Sequence, residues 1–536
     1  MRSVAVAVSV VVLGAIVAHP QAQSAGEVRQ VAYLKASNAE AGDQFGTGGT
    51  LLGDSVAISG DGNTIAIGAP KESSGARGVN GNQNDNSIYA AGAVYVFTRG
   101  GAAGWTQQAY LKASNPTEAA EFGHIVALSA DGNTMAVSAY FEPSAARGVN
   151  GNQADKSIPQ AGAVYVFTRN GNRWAQQAYI KASNTGEAGV GDNFGDGDQI
   201  GFALAISADG NTVAVGANAE DSSATGINGN QADNSMISSG AVYVFTRTGT
   251  AWTQQAYVKP TNTFGNTQFG YSIGLTADGN TMAVSSFDEG GISRLVNGPM
   301  TRGRNGSGAV YVFTRNAGKW TQDAYLKAEN AEGNDSMGVQ VAISDDGNTI
   351  AAGALDEDCL ASGINPSGCG DDALSDISTG AAYVFVRTDG EWKQQTFFKA
   401  SNTGKNDWFG SRLTLSGDGN TLAVTSQLED SNAKGINGNQ NDDSATEAGS
   451  LYVFTRSGDA WQQIAYVKSS NNEAFDEFGS SVALSRDGRT LAAGARGEDS
   501  AAKGVNGNQD DNSADEAGAA YVFAITPPGS TATGSR

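Results

Sequence analysis

Residues 517–536 read AGAAYVFAITPPGSTATGSR, the seventh occurrence of a phrase that at residues 91–99 reads AGAVYVFTR. After each of the six earlier copies a tryptophan follows within a few residues and opens a segment such as WTQQAYLK at 105–112. No such segment follows the seventh copy. A segment with the same core but no tryptophan, VRQVAYLKASN, stands alone at 28–38. The two unmatched pieces complete one another, so the chain is expected to close on itself, its beginning supplying the last strand of its final unit.

Working outward, the tyrosine of YVF recurs at 95, 165, 243, 311, 383, 452 and 521, which defines seven units. A fixed period of this length is the signature of a repeat architecture. Each unit carries a turn phrase, DGNT at Asp61, Asp131, Asp209, Asp278, Asp346 and Asp418 and DGRT at Asp487, between short apolar runs. Asp-Gly in that setting marks a β-hairpin, because glycine accepts the positive φ of the turn. AVYVFTR is a third strand, too apolar for a half-exposed sheet, and W-x-Q-Q-A-Y-L-K is a fourth. The predicted fold is all-β: a seven-bladed β-propeller of four-stranded antiparallel blades, closed by residues 28–38. The repeats end near 98, 168, 246, 314, 386, 455 and 524. Tyr33, Leu34, Tyr521 and Phe523 carry the closure. An unpaired edge on the last blade would otherwise invite aggregation.

Residues 1–25 have Arg2, an apolar run from Val4 to Ala18 and small residues at Ala22–Ala25, the pattern of a signal peptide. The propeller is placed at 26–525 and a flexible tail at 526–536. No other run is long and apolar enough to span a membrane, so the expectation is a monomer that is secreted, periplasmic or held at the cell surface. The net charge of −22 argues against nucleic acid and against anionic membrane surfaces. Cys359 and Cys369, ten positions apart in a chain expected to be exported, point to a local disulfide, the alternative being a free or metal-bound pair.

The first strand begins with Phe-Gly at Phe122, Phe269, Phe409 and Phe478, with Leu52-Gly53, Ile200-Gly201 and Met337-Gly338 as weaker counterparts, the second ends in GA-type phrases such as IGAP at 67–70, and the third reads GAVYVF. In these motifs the units resemble FG-GAP repeats, the repeats of integrin α-chain propellers and of many secreted bacterial propellers. The resemblance extends over about residues 28–524 and implies a binding or adhesion module. Calcium-binding members carry an aspartate-rich loop between the first two strands. Here that loop is S-x-D-G-N-T, too short to offer five or six oxygens to Ca²⁺, so the family's usual metal site is expected to be absent.

Long inserts separate the second and third strands, five of them near copies of EDSSATGINGNQADNS at 220–235. Strand order puts them on one acidic, loop-rich face, where ligands are expected. Glu220, Asp221, Asn228, Asn230 and Asp233 offer hard oxygens suited to Ca²⁺; the competing reading is that they satisfy the loop's own backbone. Asp192, Asp196 and Asp198 form a weaker acidic run. In the fourth unit Arg294, Arg302 and Arg304 are either an anion grip or a solvated loop. Catalysis finds little footing: after the leader His124 is the one histidine, which excludes serine–histidine and multi-histidine metal sites, and its placement after a Phe-Gly reads as a packed strand residue. The repeated tryptophans and Trp408 read as packing rather than a sugar platform. No catalytic residue and no certain cofactor is assigned. The expected function is an exported, non-catalytic module for an extracellular protein or glycan, the alternative a secreted carboxylate-based hydrolase or lyase working at the central channel.

Overall fold

The computed structural model describes residues 26–47, 53–101, 104–185, 202–303, 306–369 and 377–528. Residues 1–25, expected above to be a signal peptide, the acidic run Asp192, Asp196 and Asp198, Arg304 and residues 529–536 lie outside the described residues.

Among the described residues twenty-eight strands form seven four-stranded sheets, each antiparallel, and together they make the seven blades. Blade 2 shows why. Its inner strand, Phe122–Leu128, meets Thr134–Ala139 through a turn in which Gly132 has φ +66°. Asp131 Oδ1 accepts hydrogen bonds from the Ser129 hydroxyl at 2.6 Å and the Asn133 N–H at 2.9 Å, so the side chain locks the turn that glycine permits. Thr134–Ala139 is buried throughout and Ala163–Asn170 over its first five residues. Both lie between neighbouring blades, so both faces must be apolar. The outer strand, Arg173–Ile180, alternates exposed and buried over its first three residues and is buried over its last three.

In blade 7 the strand beside Ala519–Thr526 is Glu27–Leu34, from the other end of the sequence. Tyr33 pairs with Tyr521, Leu34 with Ala520 and Gln30 with Phe523. The two tyrosine rings lie 5.3 Å apart, and Tyr33, Leu34, Tyr521 and Phe523 are fully buried.

One boundary differs from the sequence reading. Leu52-Gly53 is not the Phe-Gly of blade 1; Phe45-Gly46 is. A Cβ on Gly518 would lie 2.3 Å from Phe45 O, as one on Gly92 would lie 2.1 Å from Phe122 O. The cause is an insertion: sixteen positions separate Phe45 from its hairpin aspartate, Asp61, against nine from Phe122 to Asp131. Met337 does take the Phe position, against Gly308. Ile200 and Gly201 lie outside the described residues.

Each outer strand also carries a β-bulge, and the bulge joins the blades. Blade 1 pairs Val96 with Ala109 and Phe97 with Gln107, so Gln108 is skipped and turned outward. Its Oε1 accepts from Arg169 Nη1 and Trp174 Nε1 of blade 2, both at 3.1 Å, while Arg169 stacks over Trp174 at 5.2 Å. Gln177, Gln255 and Gln395 repeat the link. In blade 4 the bulged residue is Asp323, which reaches Arg387 at 3.2 Å and leaves Trp392 Nε1 without a partner. Blade 7 has neither the tryptophan nor the arginine. Val28 pairs with Ile525 in their places, and the bulged residue of blade 6 that packs against them is Ile464. Three polar positions are thus replaced together by apolar ones where the ring is sealed.

Removing the Tyr33 ring opens a cavity in the closing blade. Tyr33→Ala should cost about 3–5 kcal/mol of stability, measured by denaturant unfolding. Removal of residues 28–38 with no change in melting would show that the ring does not depend on that strand.

Candidate functional site

The inserts are first of all structural. Glu220 is fully buried, with Oε2 2.9 Å from Lys259 Nζ and Oε1 accepting from the Tyr257 hydroxyl at 2.6 Å. All seven blades repeat the ion pair: Lys35–Glu498, Lys112–Glu72, Lys181–Glu142, Lys259–Glu220, Lys327–Glu289, Lys399–Glu357 and Lys468–Glu429. Burial lowers the pKa of Lys35, Lys112 and Lys468, and the glutamates beside them pull it back in part. In this frame the Ca²⁺ candidates each have a partner in the chain. The Asp221 carboxylate accepts from Ser238 N at 2.7 Å, Asn228 Oδ1 from Tyr257 N at 2.9 Å and Asn230 Oδ1 from Ala232 N at 3.1 Å. The Asp233 carboxylate accepts from Ser235 N and the Ser223 hydroxyl.

A second buried carboxylate lies two residues before the Phe-Gly position in four blades: Asp43, Asp335, Asp407 and Asp476, each at most 6 % exposed. Each accepts one backbone N–H, from Glu40, Glu332, Gly404 and Glu473 respectively. Burial first, with the neighbouring glutamates adding repulsion, pushes Asp407 up to about 8 and the other three to about 7.

Of the fourth-unit arginines, Arg294 and Arg302 lie within the described residues and have separate partners. Arg294 Nη2 pairs with Glu332 at 3.2 Å and Nε donates to Ala331 O, while Arg302 stacks over Phe264 at 5.1 Å. Cys359 and Cys369 are joined as a disulfide, with Cα atoms 5.3 Å apart. With Glu357 they are the one group of three metal-type ligands gathered among the described residues, but the sulfurs are bonded to each other and Glu357 to Lys399. Trp408 sits in the left-handed region at φ 58°, just before the Phe-Gly of blade 6.

The axial channel is different in kind. On the hairpin side, backbone bonds lace the turns together: Gly60 N–H to Ala130 O, Ala130 to Ala208 and Ala208 to Ala277 in one arc, Asp345 to Gly417 and Gly417 to Arg486 in another. On the loop-rich side the inner strands begin, and there the repeats stop resembling one another. Five positions before the hairpin Ser or Thr stand Asp54, His124, Phe202, Tyr271, Val339, Ser411 and Ser480. One position later stand Ser55, Ile125, Ala203, Ser272, Gln340, Arg412 and Ser481.

These residues form two unlike walls. Asp54 Oδ2 accepts from Gln340 Nε2 at 2.6 Å, and Asp54 Oδ1 lies 3.4 Å from Arg412 Nε, joining blades 1, 5 and 6. Arg412 is 1 % exposed. Burial pushes the Asp54 carboxyl up, with Arg412 and then Gln340 opposing. Blades 2 to 4 contribute aromatic rings: His124 on Tyr140 at 5.1 Å, Tyr140 to Phe202 at 5.4 Å, Phe202 to Tyr271 at 4.7 Å. Both His124 nitrogens lack a hydrogen-bond partner, with Nδ1 3.4 Å from Glu121 Oε2. Burial opposes ionisation of Glu121, but His124 and Lys71 outweigh it and hold its pKa below the ordinary value. A cavity of about 30 Å³ opens among Asp54, Phe202, Tyr271 and Gln340.

Sequence reasoning singled out His124 but missed Asp54, Gln340, Arg412, Phe202 and Tyr271. The signal was present: with the seven units aligned on their hairpins, the two positions that follow the Phe-Gly in an ordinary unit are the ones that vary in charge and size, while YVF does not vary at all.

A family model described as FG-GAP repeat matches residues 105–167 and 461–523. Each span runs from the tryptophan of one blade's outer strand to the phenylalanine of the next blade's third strand, so the matched unit is offset by one strand from the blade. No curated protein matches the chain.

Two outcomes follow from the buried charges. Glu220→Ala strands the Lys259 ammonium and should cost about 3–5 kcal/mol, equally with and without calcium, and Lys259→Met in the same chain should recover part of the loss. Asp407 stays neutral in the folded chain up to about pH 8 but ionises near 3.8 when unfolded. Its contribution to stability is therefore complete below about pH 4 and is lost as pH rises toward 8. Asp407→Asn should flatten the unfolding profile across that window and stabilise the chain most at pH 8.

Proposed function

We propose that this chain, a seven-bladed propeller carrying FG-GAP repeats, is an exported, non-catalytic module that binds an extracellular protein or glycan through its loop-rich face. One observation carries the reading. In blades 1, 2, 3, 6 and 7 the insert alternates between outward and inward residues, and the outward ones form near-identical polar combs. Asn80 and Asn82 are exposed in blade 1, and Asn150 with Asn152, Asn228 with Asn230, Asn437 with Asn439 and Asn506 with Asn508 repeat them. An exposed cation precedes four of the combs, at Arg77, Arg147, Lys434 and Lys503. Beneath each comb lies the buried Lys–Glu pair. The face is therefore presented rigidly and little ordering entropy opposes binding.

The uneven channel favours a second reading, a hydrolase or lyase. Against it, Asp54 is the one carboxylate lining the cavity among the described residues, whereas glycoside cleavage commonly uses a pair. Calcium is the metal the acidic face would take, and equal melting midpoints with calcium and with chelator would remove it.

The test is a protein and glycan array probed with the chain lacking residues 1–25. Reversing Lys434 and Lys503 to glutamate should weaken a captured ligand at least tenfold while melting is unchanged. Binding indifferent to both reversals would move the site off this face.

A further inference from the structure

We infer that the insert of blade 4 and the loop leading into that blade form a docking site, centred on Arg302, for a protein segment that carries one carboxylate beside apolar side chains. This rests on the binding reading above and gives it an anchor point and a partner chemistry.

The site follows from a substitution in the repeat. Five residues before the Phe-Gly of blades 1 and 7 stand Glu40 and Glu473. Each accepts a hydrogen bond from its own blade's insert, from Asn86 and Asn512 respectively. In blade 4 the same position is Phe264, and the insert reaches it with Arg302, whose guanidinium stacks over the ring at 5.1 Å. The contact between loop and insert is kept and the carboxylate is gone. Arg302 is exposed, and among the described residues it makes no ion pair and donates no hydrogen bond. Asp288, half-buried, feels its charge without pairing with it. Stacking on an aromatic ring holds the guanidinium fork in one orientation, and a carboxylate can take two of its donors at once.

Apolar surface adjoins Arg302 on both sides. A Cβ on Gly265, next to Phe264, would lie 3.4 Å from Met236 Cγ of blade 3's insert, and the neighbouring Ile237 is 52 % exposed. On the other side a Cβ on Gly303 would lie 2.5 Å from Ile292 Cγ2, and Ile292 is 46 % exposed. Pairing of Gly291 with Arg302 fixes that leg of the insert. Ile237, Phe264, Arg302 and Ile292 thus form one strip across two blades, and aromatic residues, methionine and arginine are the types enriched at protein interfaces.

Charge and wetness choose the occupant. A chain of net charge −22 repels anions over most of its surface, so an acid reaches this guanidinium only if apolar contacts bring it there. An acidic sugar offers the carboxylate but would leave hydroxyls dry against isoleucine. A segment with Asp or Glu between aliphatic or aromatic residues satisfies both parts of the strip.

The experiment is selection from a displayed library of random peptides on the chain lacking residues 1–25, followed by calorimetry with the selected peptides made with blocked termini. Enriched peptides should share an Asp or Glu beside apolar side chains, and replacing that acid by its amide should abolish binding. Binding should weaken at least tenfold in Arg302→Gln and in Ile292→Ser; both residues are exposed, so melting should be unchanged. No enrichment, enrichment of peptides without an acid, or binding unchanged in both variants would overturn the site. So would binding of methyl β-glucuronoside in place of the peptides, or a dimer in sedimentation velocity that Arg302→Gln dissolves, which would make a second copy the occupant. An array ligand lost on reversal of Lys434 and Lys503 but kept in Arg302→Gln would leave the face reading standing and this site refuted. Loss in Arg302→Gln alone would do the reverse.

Discussion

The interaction on which the rest depends is the buried lysine–glutamate pair at the head of each insert. Lys259 comes from the end of an outer strand and Glu220 from the start of the insert two strands earlier, and neither has contact with water. An uncompensated charge there would be expensive, so the insert has one place to go. From the same glutamate the network spreads: the Tyr257 hydroxyl donates to it, and so does Asn184 of the preceding blade, whose Oδ1 accepts from the Tyr243 hydroxyl at 2.5 Å. Loop, outer strand, third strand and neighbouring blade are all tied to one carboxylate. A loop of some twenty residues rich in glycine and asparagine gains a fixed shape in this way, although it contributes few apolar side chains.

Between blades a different device is used. The bulge at Gln108 turns one residue out of register to face the arginine and tryptophan of the next blade, so a local irregularity of pairing becomes the contact between units. The two devices act at different radii. The ion pairs organise the loop-rich face, and the bulges join the outer parts of the sheets, while the aromatic and aliphatic residues of the second and third strands fill the space between.

Much of this was legible in the sequence, because repetition turns one weak signal into seven. Asp-Gly turns, YVF strands and the unmatched segment at 28–38 gave the blade count and the closure without any single motif being decisive. The Phe-Gly of blade 1 was misplaced because an insertion put Gly53 in the expected place relative to Asp61, and only the backbone contact of Gly518 with Phe45 identifies the true counterpart. The glutamates were read as candidate metal ligands because a sequence shows that an acid is available but not that a lysine forty positions later is brought beside it. The channel cluster was missed for the opposite reason. Reasoning from what repeats passes over what differs, and Asp54, Gln340 and Arg412 lie in three blades far apart in the chain, joined only across the axis.

The apolar replacement at Val28, Ile525 and Ile464 bears on how the ring assembles. Six outer strands share nearly the same pattern as Glu27–Leu34, so during folding the first-made segment meets several third strands with which it could pair. With valine where the others have tryptophan, it would leave the arginine of any wrong blade without the ring it stacks on, and beside Ile525 it meets an apolar partner instead. The seam works as a lock cut for one key, steering a highly repetitive chain away from closing early, with too few blades, or onto a second molecule.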